Sequence, residues 1–178
     1  MNKSTKKIFI IGVILVVVLI GAYQMTNKES NNQKVRIETN HGVIVVELYS
    51  AKMPVTAGNF EKLVSEGFYN GVVFHRIING FMIQGGDPTG TGSGGPGYEI
   101  KDEFVKGLSN TRGTLSMANS GPNSGGSQFF INLVDNNFLD TKHPVFGKVI
   151  EGIDIVDAIA KVEIDSDDRP IEEVKIIK

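Results

Sequence analysis

The stretch Phe74-His75-Arg76-Ile77-Ile78-Asn79-Gly80-Phe81-Met82-Ile83-Gln84 constrains the fold of this chain more than any other. It is apolar almost throughout, yet it carries a lone arginine, Arg76. Asn79-Gly80 is a turn signal, so the stretch predicts two short strands joined by a tight turn. A guanidinium among Phe and Met side chains is poorly solvated and needs a partner. Two interpretations are open: Arg76 pairs with a nearby carboxylate, or it faces a ligand at the edge of an apolar pocket.

Composition favours a turn-rich β domain and excludes several kinds of site. The 178 residues suffice for one domain with a real core, and 21 glycines with no tryptophan favour β structure over a helical bundle. The absence of cysteine excludes disulfides, zinc-thiolate sites, thiol nucleophiles and a lipid-modified cysteine. Setting aside three N-terminal lysines leaves 15 of the 18 basic residues against 20 acidic ones, which argues against nucleic acid as a partner.

The N-terminal residues are typical of a leader followed by a tether. Three lysines precede an apolar run over residues 8–23. Residues 1–23 are therefore predicted to be a signal peptide or a signal anchor, with the positive charge on the cytoplasmic side. Ile20 fits the small-residue cleavage pattern poorly, which favours an uncleaved anchor. With residues 24–34 as a flexible tether, the domain is expected to be membrane-anchored and extracytoplasmic, or secreted if the leader is cleaved.

Residues 35–178 are predicted to form one domain, mainly of strands. Alternating runs at Val35–Thr39 and Val43–Leu48 predict a β-hairpin. One helix is predicted to open at Pro54 with Thr56 as its N-cap and to end near Ser65, and a second is predicted over 153–160. The other strand-like runs are Val72–Ile77, Phe81–Gly85, Gly113–Asn119, Ser127–Leu133, Val162–Ile164 and Val174–Ile177.

A glycine-rich stretch, residues 85–97, contains a formal G-x-G-x-x-G at Gly90, Gly92 and Gly95. A dinucleotide-binding fingerprint must enter a helix at once, because the phosphate binds at the helix N-terminus. Here Pro96 and a strand-like segment follow instead. We interpret the stretch as an irregular surface loop rich in positive φ angles.

Three further blocks complete a resemblance to the cyclophilin-type peptidyl-prolyl isomerases. They are Met117-Ala118-Asn119, Ser127-Gln128-Phe129-Phe130-Ile131 and His143-x-Val145-Phe146-Gly147, and they follow Phe74–Asp87 in order and at compatible spacing. The resemblance runs from about Val35 to Lys178 and is highly specific. It implies an eight-stranded antiparallel β-barrel capped by two α-helices. In this chain an N-terminal hydrophobic helix precedes it, as in a bacterial, membrane-anchored or exported member.

The resemblance also implies which residues form the active site. Arg76 resembles the catalytic arginine, and His143 resembles the histidine at the pocket edge. The residues that resemble the walls of the proline pocket are Phe81, Met82, Phe130 and Leu139. Those that resemble the groups holding the peptide backbone are Gln84, Ala118, Asn119 and Gln128. We take Arg76, Phe81, Gln84, Asn119 and His143 as the catalytic set, and Met82, Ala118, Gln128, Phe130, Phe138 and Leu139 as the substrate-binding set.

Two positions depart from the common pattern of the family. Asn79 stands where many members have proline, a turn change that we expect to be tolerated. Phe138 stands where cyclosporin-sensitive members have tryptophan, which predicts reduced cyclosporin affinity more than reduced catalysis. The resemblance requires no cofactor and no metal.

The implied function is acceleration of X-Pro bond rotation during protein folding. The partners are proline-containing segments of unfolded proteins, and the leader points to exported ones. One alternative is a chaperone module of the same fold that binds proline-containing segments with little catalysis, although the intact Arg76 favours catalysis. A hydrolase is disfavoured, because the three histidines are scattered and no nucleophile motif is present.

Overall fold

Residues 32–178, the part of the chain that the computed structural model describes, form one curled sheet of seven antiparallel strands with two α-helices. The strand order is β1-β2-β7-β5-β6-β4-β3. The strands are β1 (Lys34–Thr39), β2 (Gly42–Leu48), β3 (Arg76–Ile78), β4 (Met82–Gly85), β5 (Thr114–Met117), β6 (Phe129–Asn132) and β7 (Val145–Glu151). The helices are α1 (Thr56–Ser65), α2 (Ile153–Ile159) and a one-turn 3-10 helix (Asn137–Leu139).

The C-terminal segment, residues 174–178, joins the two edges of this sheet. Thr39 of β1 forms a bridge with Ile176, and Val73, just before β3, forms a bridge with Lys175. Further backbone hydrogen bonds support both contacts, such as Ile177 N–H to the carbonyl of Glu38 (2.6 Å) and Phe74 N–H to the carbonyl of Val174 (2.8 Å). The described residues contain seven strands rather than the eight that the resemblance implied. The strand-like run predicted over Val174–Ile177 is joined to the sheet by these bridges and hydrogen bonds and is not a regular strand.

The sheet encloses an apolar core because successive side chains of a strand point to opposite faces, and one of these faces is apolar. Residues Ile44, Val46 and Leu48 of β2 are fully buried, as the predicted hairpin requires. Phe60 of α1 packs against this interior, with its ring centroid 5.3 Å from that of Phe129 in an edge-to-face arrangement. The core therefore occupies one face of the sheet, and the opposite face of β3, β4 and β6 is free to form a site.

The N-terminus of α1 differs from the prediction. The N-cap position is Val55, and no side chain within the helix caps it, so the assignment of Thr56 as N-cap is wrong. Instead the carboxylate of Glu103 accepts hydrogen bonds from the backbone N–H of Val55 (3.1 Å) and of Thr56 (3.0 Å). An acid there satisfies two free donors and complements the positive end of the helix dipole.

The predicted leader, residues 1–23, and the tether up to residue 31 lie outside the described residues, so both remain predictions. Within residues 32–178, no helix combines the length and the apolar character that crossing a membrane requires. The strand β1 begins at Lys34, and the carbonyl of Gln33 accepts a hydrogen bond from the N–H of Leu48 at 2.8 Å. The fold therefore begins slightly before Val35.

Candidate active site

Cross-strand register places Arg76, Gln84 and Phe130 side by side. Arg76 of β3 lies opposite Gln84 of β4, which lies opposite Phe130 of β6. Directly opposed residues of antiparallel strands point to the same face of a sheet. The next pair, Ile77 and Ile83, points to the other face and is fully buried in the core. The predicted catalytic arginine thus shares one outward face with two other predicted site residues.

A second apolar cluster, separate from the main core, lies on this outward face. Its buried members are Met82, Ala118, Phe130 and Leu139, with Ile78 and Phe81 packed partly buried against them. Met82 is only 2% exposed and Phe130 only 4%, although neither belongs to the main core. We call this group the pocket cluster. It provides the apolar surface that a proline ring needs, beside the position of Arg76.

Arg76 lies at the rim of the site rather than inside it. The side chain of Arg76 is 45% exposed to solvent, because β3 is an edge strand. The prediction that the guanidinium is poorly solvated among Phe and Met side chains is therefore wrong. Its Nε lies 3.5 Å from Oδ2 of Asp168, so the carboxylate-pairing interpretation holds. The ligand-facing interpretation is compatible with the same geometry, since the side chain remains half-exposed beside Gln84.

Two glutamines form a fixed pair beside Arg76. Nε2 of Gln84 donates to Oε1 of Gln128 at 2.9 Å. Nε2 of Gln128 in turn donates to the carbonyls of Gly92 (3.0 Å) and Gly94 (2.9 Å) in the glycine-rich loop. Both side chains are consequently oriented before any ligand arrives, as groups that hold a peptide backbone should be.

Asn119 and His143 lie beside the pocket cluster and are each fixed by a backbone carbonyl. Nδ2 of Asn119 donates to the carbonyl of Lys142 at 2.8 Å. Nδ1 of His143 lies 3.1 Å from the carbonyl of Met117, and its ring meets that of Phe130 edge-on at 5.4 Å. Since a carbonyl can only accept, Nδ1 is the donor in this contact, which fixes the orientation of the ring.

The 3-10 helix supplies the outer wall of the pocket. Leu139 at its end is buried in the pocket cluster, whereas Phe138 is 68% exposed. The ring of Phe138 stacks on that of Phe81, with centroids 6.1 Å apart and planes inclined by 14°. Phe138 therefore stands at the rim, where it covers Phe81 and does not fill the floor.

Sequence reasoning missed a polar network that supports this wall. The carboxylate of Asp140 accepts hydrogen bonds from the backbone N–H (2.7 Å) and from Nδ2 (3.0 Å) of Asn110. Burial opposes ionisation of Asp140, but hydrogen bonds from Asn110 and Ser109 outweigh it and lower its pKa. Nδ2 of Asn110 also donates to the carbonyl of His143. The sequence feature that could have indicated this network is an asparagine within an apolar strand, such as Asn132, which donates to Asn110.

A second missed residue, Asp87, shapes the glycine-rich loop. Its buried carboxylate accepts hydrogen bonds from the backbone N–H of Thr89 (2.7 Å), Gly92 (2.6 Å) and Gly94 (3.0 Å). Burial opposes the charge, but these donors outweigh it and hold the pKa of Asp87 well below its usual range. A Cβ on Gly94 would lie 2.0 Å from Oδ1 of Asp87, so this position requires glycine. Asp87 thereby places the carbonyls that orient Gln128.

The pocket cluster continues into a polar groove of about 580 Å³. Four predicted site residues line it together with the glycine-rich loop, namely Gln84, Ala118, Asn119 and Gln128. An apolar pocket next to a polar groove suits an extended peptide with one apolar ring. The structure thus brings all eleven predicted site residues to one region, whereas their individual roles remain predictions.

Known proteins resemble this chain over nearly all of the described domain. The family model described as "Cyclophilin type peptidyl-prolyl cis-trans isomerase/CLD" matches residues 34–178. "Peptidyl-prolyl cis-trans isomerase-like 1" of Homo sapiens is 51% identical over 148 residues, which cover 81% of this chain and 89% of that protein. "Peptidyl-prolyl cis-trans isomerase ppi1" of Schizosaccharomyces pombe is 49% identical over 148 residues, covering 81% and 96%.

A solved structure shows the same fold. The crystal structure of a Cryptosporidium parvum cyclophilin type peptidyl-prolyl cis-trans isomerase, determined in the presence of the dipeptide ala-pro, superposes with a TM-score of 0.79 at 40% identity. It covers 82% of this chain and 96% of its own. These three relatives are eukaryotic and give no support to the predicted bacterial origin or to the membrane anchor.

Proposed function

The chain belongs to the cyclophilin-type peptidyl-prolyl cis-trans isomerases, and we propose that Arg76 drives its rotation of X-Pro bonds from the rim of the pocket cluster. The observation that carries this proposal is the register of Arg76, Gln84 and Phe130 across three neighbouring strands. An isomerisation assay of the Arg76→Ala variant tests it. A large loss of rate supports the proposal, and an unchanged rate refutes it.

The reaction requires stabilisation of a twisted amide, and no covalent bond is made or broken. The barrier to amide rotation is ~18–20 kcal/mol, and uncatalysed X-Pro isomerisation takes tens of seconds or longer. Turnover in about a millisecond requires a barrier of ~13 kcal/mol. The site must therefore remove ~5–7 kcal/mol by binding the twisted amide better than either planar form.

A guanidinium meets this requirement because the twisted amide has lost its resonance. The prolyl nitrogen then regains a lone pair, which an N–H of Arg76 can engage and which the planar amide does not offer. The pocket cluster holds the proline ring, and Gln84 and Asn119 fix the chain on either side of it. Rotation is then confined to one bond. Because Arg76 is half-exposed, this donor acts with most of its strength only once the bound peptide has excluded water.

The substrates are proline-containing segments of protein chains. The related Cryptosporidium parvum structure was determined with an ala-pro dipeptide, which is the smallest unit containing the reacting bond. We propose that the substrates include unfolded proteins, in which X-Pro isomerisation is slow enough to limit folding. The leader predicted for residues 1–23 favours exported proteins among these clients.

Protease treatment of intact cells or spheroplasts is expected to digest the domain from outside. The expectation rests on the proposed anchor, since positive charge before an apolar run stays in the cytoplasm. A flexible tether of about eleven residues would span only ~17–20 Å and would keep the site near the membrane. The measurement is the survival of the domain on a blot, with a cytoplasmic protein as the control for leakage. Protection of the domain until the membrane is broken contradicts this orientation and the exported clients with it.

Cyclosporin is expected to bind this chain more weakly than it binds members that have tryptophan at position 138. Phe138 is exposed at the rim, and its phenyl ring has no indole N–H to donate. The variant Phe138→Trp is therefore expected to gain affinity by roughly tenfold, since one hydrogen bond contributes about 1 kcal/mol or somewhat more. Titration calorimetry of both proteins measures the change. Equal affinities would remove Phe138 as the cause.

A further inference from the structure

The loop between α2 and the C-terminal segment, residues 165–170, is folded onto itself by one aspartate. Oδ1 of Asp165 accepts hydrogen bonds from the backbone N–H of Asp167 (2.8 Å) and of Arg169 (3.0 Å). The N–H of Asp165 donates to the carbonyl of Arg169 at 2.8 Å. The loop is therefore a closed turn with a defined shape, although its side chains are mostly exposed.

The tip of this turn is attached to β3 at the position of Arg76. The carbonyl of Asp168 accepts a hydrogen bond from the N–H of Ile77 at 2.8 Å, and its carboxylate lies 3.5 Å from Nε of Arg76. Asp168 has a positive φ of 63°, a left-handed conformation that few residues other than glycine, asparagine and aspartate tolerate. The turn thus holds an aspartate in a left-handed conformation against the arginine.

The same turn is also attached to the glycine-rich loop. Arg169 donates from Nη1 to the carbonyl of Gly90 (3.0 Å) and from Nη2 to the carbonyl of Thr91 (2.8 Å). Neighbouring carbonyls of that loop orient Gln128. Asp168 is consequently held from two sides and does not depend on its contact with Arg76 to stay in place.

We propose that Asp168 is a positioning residue for Arg76, an inference that rests on the catalytic role proposed for that arginine. Within residues 32–178 the carboxylate approaches the guanidinium most closely at Nε, so the Nη edge can turn towards the prolyl nitrogen. Both charges are half-exposed, so the pair adds little to stability and does not cancel the positive charge. Its effect is to hold a long, flexible side chain in the orientation that the transition state requires.

The experiment compares two neighbouring aspartates in the isomerisation assay. Asp168→Asn removes the charge but keeps a residue that accepts the left-handed conformation. Asp167→Asn makes the same chemical change one residue away, where no contact with Arg76 exists in the described part of the chain. Asp168→Asn is expected to lower kcat by roughly three- to fivefold with KM unchanged, the upper part of the range for one exposed ion pair. Asp167→Asn is expected to match the wild type.

A spectroscopic readout separates positioning from a loss of folding. The Nε–H signal of Arg76 in a nitrogen–proton correlation spectrum is expected to shift in Asp168→Asn and to stay in place in Asp167→Asn. Wild-type or higher kcat in Asp168→Asn, or an equal loss in Asp167→Asn, overturns the inference. Normal turnover in Arg76→Ala would instead overturn the proposed function, whereas a slow Arg76→Ala with a normal Asp168→Asn overturns only the role of Asp168.

Discussion

Replacement of Arg76 by alanine is expected to lower kcat/KM for an X-Pro peptide by tens-fold or more while the fold stays intact. Losing one preorganised donor to a developing charge or lone pair costs about 2.7–4 kcal/mol of transition-state stabilisation in comparable sites. The fold should persist because the side chain is half-exposed and its ion pair lies at the surface. Lysine should restore little activity, since it lacks the planar fork of the guanidinium.

A protease-coupled assay measures this rate, and a matched arginine provides the control. Arg36 on β1 is also exposed and also pairs with a carboxylate, that of Glu38, at 2.9 Å. Its strand, β1, is the edge strand at the other end of the sheet from β3. Arg36→Ala should therefore retain wild-type kcat/KM. Equal losses in both variants would show that general charge, rather than the placed guanidinium, sets the rate.

Replacement of Phe130 by alanine is expected to destabilise the protein by roughly 3–5 kcal/mol and to raise KM. Large-to-small changes at buried aromatic positions lose both transfer free energy and packing around the cavity that remains. Phe130 is 4% exposed, contacts the other members of the pocket cluster and meets the ring of His143 edge-on. Its loss also removes the floor on which the proline ring would rest.

Chemical denaturation and steady-state kinetics below the unfolding transition measure these two effects. Phe138→Ala is the stability control, because this aromatic belongs to the same wall yet is 68% exposed. Its free energy of unfolding should change by less than about 0.5 kcal/mol. A Phe130→Ala protein with nearly wild-type stability would contradict the description of the pocket cluster as a packed second core.

The strands and helices were predictable where local pattern and burial agree. The hairpin, the turn at Asn79-Gly80 and the helix ending at Ser65 follow from alternation, turn residues and an apolar stripe, and the structure confirms them. The cap of α1 was not predictable, because Glu103 reaches it from 47 residues away. The strand predicted over 72–77 is shorter than expected, since its first half instead faces the C-terminal segment.

The candidate site was predictable through the family resemblance and less so through the residues alone. Arg76 was singled out as a lone charge in an apolar stretch, but its half-exposed position depends on β3 being an edge strand, which only the strand order reveals. Asp87 and Asp168 act through loops whose shape the sequence does not specify. The leader and its consequences for location lie outside the described residues and remain predictions.

The central claim is that this site rotates an X-Pro bond by stabilising its twisted form with Arg76. NMR exchange spectroscopy on an Ala-Pro peptide at equilibrium, with catalytic amounts of protein, tests it most directly. The wild-type protein is predicted to shorten cis–trans exchange from tens of seconds to well below a second with unchanged populations, and Arg76→Ala is predicted to lose most of that acceleration. Uncatalysed exchange with the wild-type protein, or equal exchange with both proteins, would contradict the account.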